Sequence, residues 1–124
     1  MNSQPLLKHK LIPMISDILF KHSVKHKTKY RLPSEYYKGK NEIVDIAIFN
    51  DLGIPILFIV CRQRKKDPYN GFITQELIKG RMKGQRALYK LSLHNVPLYL
   101  FSDASKMNSV MDDILAHVGA IPSL

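Results

Sequence analysis

The chain has 124 residues, a usual size for one domain, and we interpret residues 1–124 as a single domain. Apolar residues make up 45% and charged residues 23%, so the composition supports a packed core and excludes a disordered chain. Lys and Arg number 19 against 10 Asp and Glu, and the formal net charge of +9 favours a polyanionic partner. Charge alone leaves open a membrane surface, an acidic protein, or no specific partner.

The cysteine count and the apolar runs exclude several other classes of protein. Cys61 is the single cysteine, so no internal disulfide can form, and no Cys/His spacing fits a structural zinc site. Residues 1–10 lack the apolar core of a signal peptide, and no apolar run approaches the roughly 20 residues that span a bilayer. We therefore expect a soluble protein of the cytoplasm or another intracellular compartment, without a membrane partner.

The first two predicted elements are a helix and a basic strand. Residues 5–21 carry apolar side chains at helical spacing, with Pro13 marking a start or a kink. Residues 24–32 read as a strand in which four cations share one parity, so one face would carry all four. The two interpretations are a phosphate-binding row and a solvated edge strand protected against aggregation. The four cations are Lys25, Lys27, Lys29 and Arg31.

Two strongly apolar strands follow, and the first contains an aspartate. Residues 42–49 and 54–61 are almost continuously apolar and are joined by a short turn with Gly53, which predicts a central hairpin. Asp45 interrupts the first strand, and a carboxylate there needs a metal, a cation or several hydrogen bonds. A metal ligand is the functional interpretation, and an ion pair with a neighbouring Lys or Arg is the structural one.

The chain leaves the second strand through a basic segment, residues 62–66. Arg62 shares the parity of Val60, and a cation at this strand end beside Asp45 would suit a scissile phosphate. The alternative is a basic loop without chemistry. Further candidate nucleic-acid contacts in the segment are Arg64, Lys65 and Lys66.

A long helix is predicted over residues 72–93, although Gly80 and Gly84 weaken it by about 1 kcal/mol each relative to alanine. Gln85 falls on its apolar stripe, where a buried amide must find hydrogen-bond partners. The charged face is either solvated or a second set of DNA contacts. Its members are Glu76, Lys79, Lys83, Arg86 and Lys90.

Residues 96–102 predict a fourth strand and residues 106–118 a last helix. The resulting order is αβββαβα, and the helical crossover implies a parallel pair inside a mixed sheet. We therefore predict an α/β fold with a mixed four-stranded sheet flanked by helices.

This order and three local motifs resemble the PD-(D/E)XK nuclease superfamily, which has the restriction-endonuclease-like fold. The nearest resemblance is to the N-terminal nuclease domain of type I restriction enzyme motor subunits. Residues 44–47 resemble the aspartate motif, residues 85–89 match Q-x-x-x-Y, and residues 96–101 resemble the strand that follows. The resemblance covers roughly residues 6–114. It implies DNA as the partner, with RNA as the alternative. It also implies a homodimer, since small nucleases of this fold often pair to cut two strands.

The E-x-K motif departs from the family. Val60 stands where the glutamate should be and Arg62 where the lysine should be, and neither can act as a metal ligand or base. Glu76 on the following helix is a candidate second acid, and Gln63 a candidate substitute for the lysine. With such a repair, Asp45 and Glu76 would hold Mg²⁺ and the chain would be a metal-dependent endonuclease.

Without a repair, the resemblance implies a nucleic-acid-binding domain with a decayed phosphodiesterase site, for which Mg²⁺ is not required. A non-catalytic protein-interaction module is the third interpretation, with the positive charge serving an acidic partner. The candidate catalytic residues are Asp45, Glu76, Arg62, Gln63 and Gln85.

Overall fold

The computed structural model describes residues 8–32, 42–62, 68–82 and 84–122. Four predicted site residues, Gln63, Arg64, Lys65 and Lys66, lie outside these ranges. The described residues form an α/β fold with a mixed, open, five-stranded sheet flanked by helices. The strands are β1 (His26–Arg31), β2 (Ile43–Phe49), β3 (Pro55–Cys61), β4 (Asn70–Ile73) and β5 (Leu98–Phe101). The helices are α1 (Lys8–Lys21), α2 (Gln75–Arg81), α3 (Arg86–Ser92) and α4 (Met107–His117).

The strands lie in the order β1-β2-β3-β5-β4. The pairs β1–β2, β2–β3 and β4–β5 are antiparallel, whereas β3 and β5 are parallel. The predicted hairpin of two apolar strands and the predicted parallel pair are therefore confirmed. The long apolar runs explain this placement, because β3 has a neighbour on each side and helices on both faces.

Each face of the sheet has its own apolar core. Helices α1 and α4 cover one face, with Ile15, Leu19 and Ile114 fully buried against β2, β3 and β5. Helices α2 and α3 cover the other face through Ile78 and Leu88. Alternate residues of β3 supply the two cores, since successive side chains of a strand point to opposite faces. Among the described helices, none is long and apolar enough to cross a membrane.

The predicted strand count and the predicted long helix are wrong over the same stretch of chain. Asn70–Ile73 forms β4 at the edge of the sheet, so the sheet has five strands where the sequence predicted four. The remainder of residues 72–93 forms two seven-residue helices, α2 and α3. The break includes Gly84 at φ +86°, a left-handed conformation that glycine adopts without steric cost and that a continuous α-helix excludes.

Candidate nucleic-acid interface

Asp45 lies at an irregular point of β2. Val44 and Ala47 face the core under α2 and α3, whereas Ile46 faces the opposite core. Strict alternation would place Val44 and Ile46 on the same face, so the alternation breaks around Asp45. The Asp45 side chain is only 6% exposed, which places a carboxylate within an otherwise apolar strand.

The Asp45 carboxylate takes part in the hydrogen bonding between β2 and β3. Its Oδ2 accepts a hydrogen bond from the Cys61 backbone N–H at 2.7 Å. The next N–H along, that of Arg62, donates to Phe101 of β5 at 3.0 Å. Because successive N–H groups of a strand point to opposite neighbours, the Cys61 N–H points towards β2. At this end of the sheet the Asp45 carboxylate is the acceptor for that N–H, and a hydrogen bond to a carboxylate is charge-assisted.

Arg62 and Gln85, two of the predicted site residues, meet on the face covered by α2 and α3. Arg62 follows β3 directly, and its Nη1 donates to the Gln85 Oε1 at 3.4 Å, a long contact. Gln85 is half-buried. It lies immediately before the first residue of α3, so the prediction that it lies within a continuous helix is wrong. Its backbone carbonyl accepts from the Tyr89 N–H at 3.0 Å. The end of β3 and the start of α3 are thus joined beside Asp45.

A concave surface opens next to this contact, between the two short helices. Its cavity volume is about 470 Å³, within the range of about 300–1,000 Å³ that is usual for ligand sites. Half-buried Tyr89 forms part of its wall, and the Lys79 Nζ lies 5.8 Å from the centre of the Tyr89 ring. We call this surface the α2–α3 groove. It is lined by Ile78, Lys79, Gly84, Gln85, Arg86, Tyr89 and Lys90.

The four cations of the first strand do not form one row. β1 begins at His26, after Lys25, whose Nζ lies 3.9 Å from the exposed Asp51 carboxylate. Lys27 lies 5.7 Å from the Phe49 ring centre, and Tyr30 packs on the same ring at 5.2 Å. Residues three apart therefore share a face, which strict alternation does not allow.

The cause of this break is the backbone of Lys29, which has a φ of +49°. Thr28 pairs with Ile46 and Tyr30 with Val44, so Lys29 lies opposite Asp45, where β2 is also irregular. All four cations are exposed, but Arg31 no longer continues the face of Lys27. The prediction of a single face with four cations is wrong, whereas their individual contacts with nucleic acid remain a prediction.

The described residues do not fit a magnesium site. Val60, at the position of the expected glutamate, is 4% exposed and packs in the core under α2 and α3. Glu76 is exposed in the first turn of α2. Within the described ranges, no three Asp, Glu, His or Cys side chains come together in a way that could hold a metal ion. A single carboxylate bonded to a backbone N–H is a poor donor set for a cation that needs about six oxygen ligands.

The structure thus brings Asp45, Arg62 and Gln85 to one end of the sheet. Sequence reasoning singled out Asp45 and Gln85 because each is polar within an apolar pattern, and Arg62 because it is a cation at the end of an apolar strand. It did not identify the groove. The sequence features that could have indicated the groove are the charged helix face and the tyrosine of Q-x-x-x-Y. Comparison with protein families, with curated proteins and with solved structures finds no match to this chain.

Proposed function

We propose that this domain binds nucleic acid in the α2–α3 groove and that it is a non-hydrolytic relative of the restriction-endonuclease-like fold. The observation that carries the proposal is the groove itself, a basic concavity beside the contact between Arg62 and Gln85. The fold resemblance is supported by the aspartate in β2, by the hairpin with β3, and by the parallel crossover to β5. The extra edge strand β4 is a departure from that pattern.

The groove offers both kinds of contact that a nucleic-acid strand uses. Lys79, Arg86 and Lys90 line one concavity, and cations in such a groove neutralise phosphates and release their counterions. Half-buried Tyr89 lines the same concavity, and bases stack on aromatic rings. DNA is the first partner that the resemblance implies, and RNA offers the same phosphates and stacking surfaces.

The neighbouring cluster supports binding to phosphate without hydrolysis. A guanidinium such as that of Arg62 has only donors, so it can neutralise a phosphate but is not a base that activates water. Gln85 contacts the guanidinium and restricts its position. Asp45 holds the end of β3 through the Cys61 N–H. In this proposal Asp45 and Gln85 position the Arg62 cation at the mouth of the groove, and no step passes through a metal ion.

The proposal is tested by the salt dependence of oligonucleotide binding. Fluorescence anisotropy with labelled DNA should show an affinity that falls steeply with salt, and Lys79→Ala with Arg86→Ala should reduce the log–log slope by about 2. The matched control is Lys10→Ala with Lys21→Ala, which removes the same charge from exposed sites on α1 across the sheet. An equal loss of slope in both double variants would show that only net charge matters.

Two further arms separate the alternative functions. Incubation of plasmid and single-stranded substrates with Mg²⁺ or Mn²⁺ should give no cleavage. Metal-dependent cutting that disappears in Asp45→Ala would instead establish an active endonuclease and overturn the non-hydrolytic proposal. If neither DNA nor RNA binds at low ionic strength, the basic surface serves another partner, such as an acidic protein.

A further inference from the structure

A second cavity lies on the opposite face of the sheet, between β5, α4 and the start of β4. Its volume is about 330 Å³, and its lining mixes carboxylates, hydroxyls and one ammonium group. Nothing in the proposed nucleic-acid function uses it. We call it the Tyr99 cavity. It is lined by Pro68, Tyr69, Asn70, Tyr99, Asp103, Lys106, Ser109, Val110 and Asp113.

The Tyr99 hydroxyl is a buried polar group that lacks a hydrogen-bond partner among the described residues. The residue is 1% exposed, and such an unpaired buried group costs about 1–3 kcal/mol. Burial first, then the charges of Asp113 and Tyr69 and a side-chain interaction with Asp113 that falls short of hydrogen-bond geometry, raise the pKa of Tyr99 to about 12. Asp113 and Tyr69 both influence this pKa and both line the cavity, so the hydroxyl end of the ring lies at the cavity.

The charges around the cavity are unevenly compensated. Asp103 is already engaged, because its Oδ1 accepts from the Ser105 N–H at 3.1 Å and from the Ser105 hydroxyl at 2.7 Å. These hydrogen bonds first, and then the nearby Lys106, lower the pKa of Asp103. Asp113 is exposed on α4 and forms no ion pair with a described residue. The cavity therefore presents the Asp113 carboxylate beside a Tyr99 hydroxyl that has no hydrogen-bond partner among the described residues, and Lys106 is the one cation of its lining.

The wall opposite α4 is held in place by hydrogen bonds between the start of β4 and the chain that follows β5. The Asn70 Oδ1 accepts from the Ser102 N–H at 2.8 Å and from the Asp103 N–H at 2.9 Å. The Ser102 hydroxyl donates to the Tyr69 carbonyl at 2.7 Å. The cavity is thus formed before any ligand arrives, which lowers the entropy cost of binding.

We propose that the Tyr99 cavity binds an alkylguanidinium group, with Asp113 pairing its charge and the Tyr99 oxygen accepting one of its N–H groups. A guanidinium carries only donors and a fixed planar fork, which matches a carboxylate bidentately. Tyr99 stays protonated, so its oxygen accepts from the ligand while its hydrogen remains available to Asp113. An anionic ligand would be repelled by the Asp113 carboxylate.

The test is a titration of the isotope-labelled full chain with methylguanidinium chloride, followed by amide NMR at constant ionic strength set with sodium chloride. Saturable shifts should appear at Tyr69, Ser109 and Asp113, with a millimolar Kd. Asp113→Asn should weaken binding at least about tenfold, because it removes the charge-assisted pair. The matched control is Asp112→Asn, which changes the adjacent exposed aspartate and should leave the Kd unchanged. Shifts that do not saturate, or equal affinity in Asp113→Asn, would overturn the proposal.

Two further measurements test the hydroxyl and the ligand class. Tyr99→Phe removes an unpaired buried hydroxyl, so its melting temperature should equal or exceed that of the unmodified chain while the Kd rises at least about threefold. An unchanged Kd in that folded variant would overturn the role of Tyr99. Methylammonium should bind more weakly than methylguanidinium, since it lacks the planar fork. Equal or tighter binding of methylammonium would reject the guanidinium class.

Discussion

Replacing Asp45 with alanine or asparagine distinguishes a carboxylate that holds two strands together from one kept for a metal. Asp45→Ala loses a charge-assisted hydrogen bond worth about 1.5–3 kcal/mol and leaves the buried Cys61 N–H without its acceptor. We expect a loss of about 3 kcal/mol in the free energy of unfolding. Asp45→Asn keeps an oxygen acceptor at nearly the same place, so its loss should be about 1 kcal/mol.

For a domain of this size, 1 kcal/mol corresponds to a shift of about 4 °C in Tm, so the two variants should melt about 12 °C and about 4 °C below the unmodified chain. Circular dichroism during thermal and urea unfolding measures both values. The matched control is Asp112→Ala, an exposed substitution whose effect should stay within about 0.5 kcal/mol.

The structural role of Asp45 would be refuted by an Asp45→Ala variant as stable as the control. It would also be refuted if about 10 mM Mg²⁺ raised the Tm of the unmodified chain but not that of Asp45→Ala, because a ligand bound only by the folded state stabilises it.

Three other consequences concern strand β1 and Tyr99. Lys29→Gly should keep or raise stability by up to about 1 kcal/mol in urea unfolding, and Lys29→Val should lower it by at least that amount, because φ at this position is +49°. The domain should lose stability as pH rises from 10.0, the ordinary pKa of Tyr99, towards about 12, since the unfolded state releases the Tyr99 proton first. Alkaline unfolding of Tyr99→Phe should therefore lack that component. If Lys27 and Arg31 both contact phosphates, replacing them with alanine should reduce the salt slope of DNA binding by about 2, and an unchanged slope would make β1 a solvated edge.

The centre of the sheet was predictable because its signal is local and strong. Two almost continuous apolar runs around a short turn specify a central hairpin, and a helical crossover specifies a parallel neighbour. Strand β4 carries no comparable signal. Its four residues, Asn70–Ile73, are too few to show a period, and they become a strand only by pairing with β5.

The candidate site was predictable where a polar residue interrupts an apolar pattern, as Asp45 and Gln85 do. The groove was not, because it depends on a helix break at Gly84 and on the angle between two short helices. The regular spacing of cations in the first strand led to the wrong prediction of one cationic face for a related reason. A positive φ at Lys29 is a tertiary constraint, since lysine has no intrinsic preference for that conformation.

The central claim is that nucleic acid binds in the α2–α3 groove, and amide NMR with a short oligonucleotide tests it most directly. At low ionic strength, the amides of Lys79, Gln85, Arg86 and Tyr89 should shift first and most, together with Arg62 at the end of β3. Shifts confined to β1 or to α1, or no shifts at all, would contradict the claim.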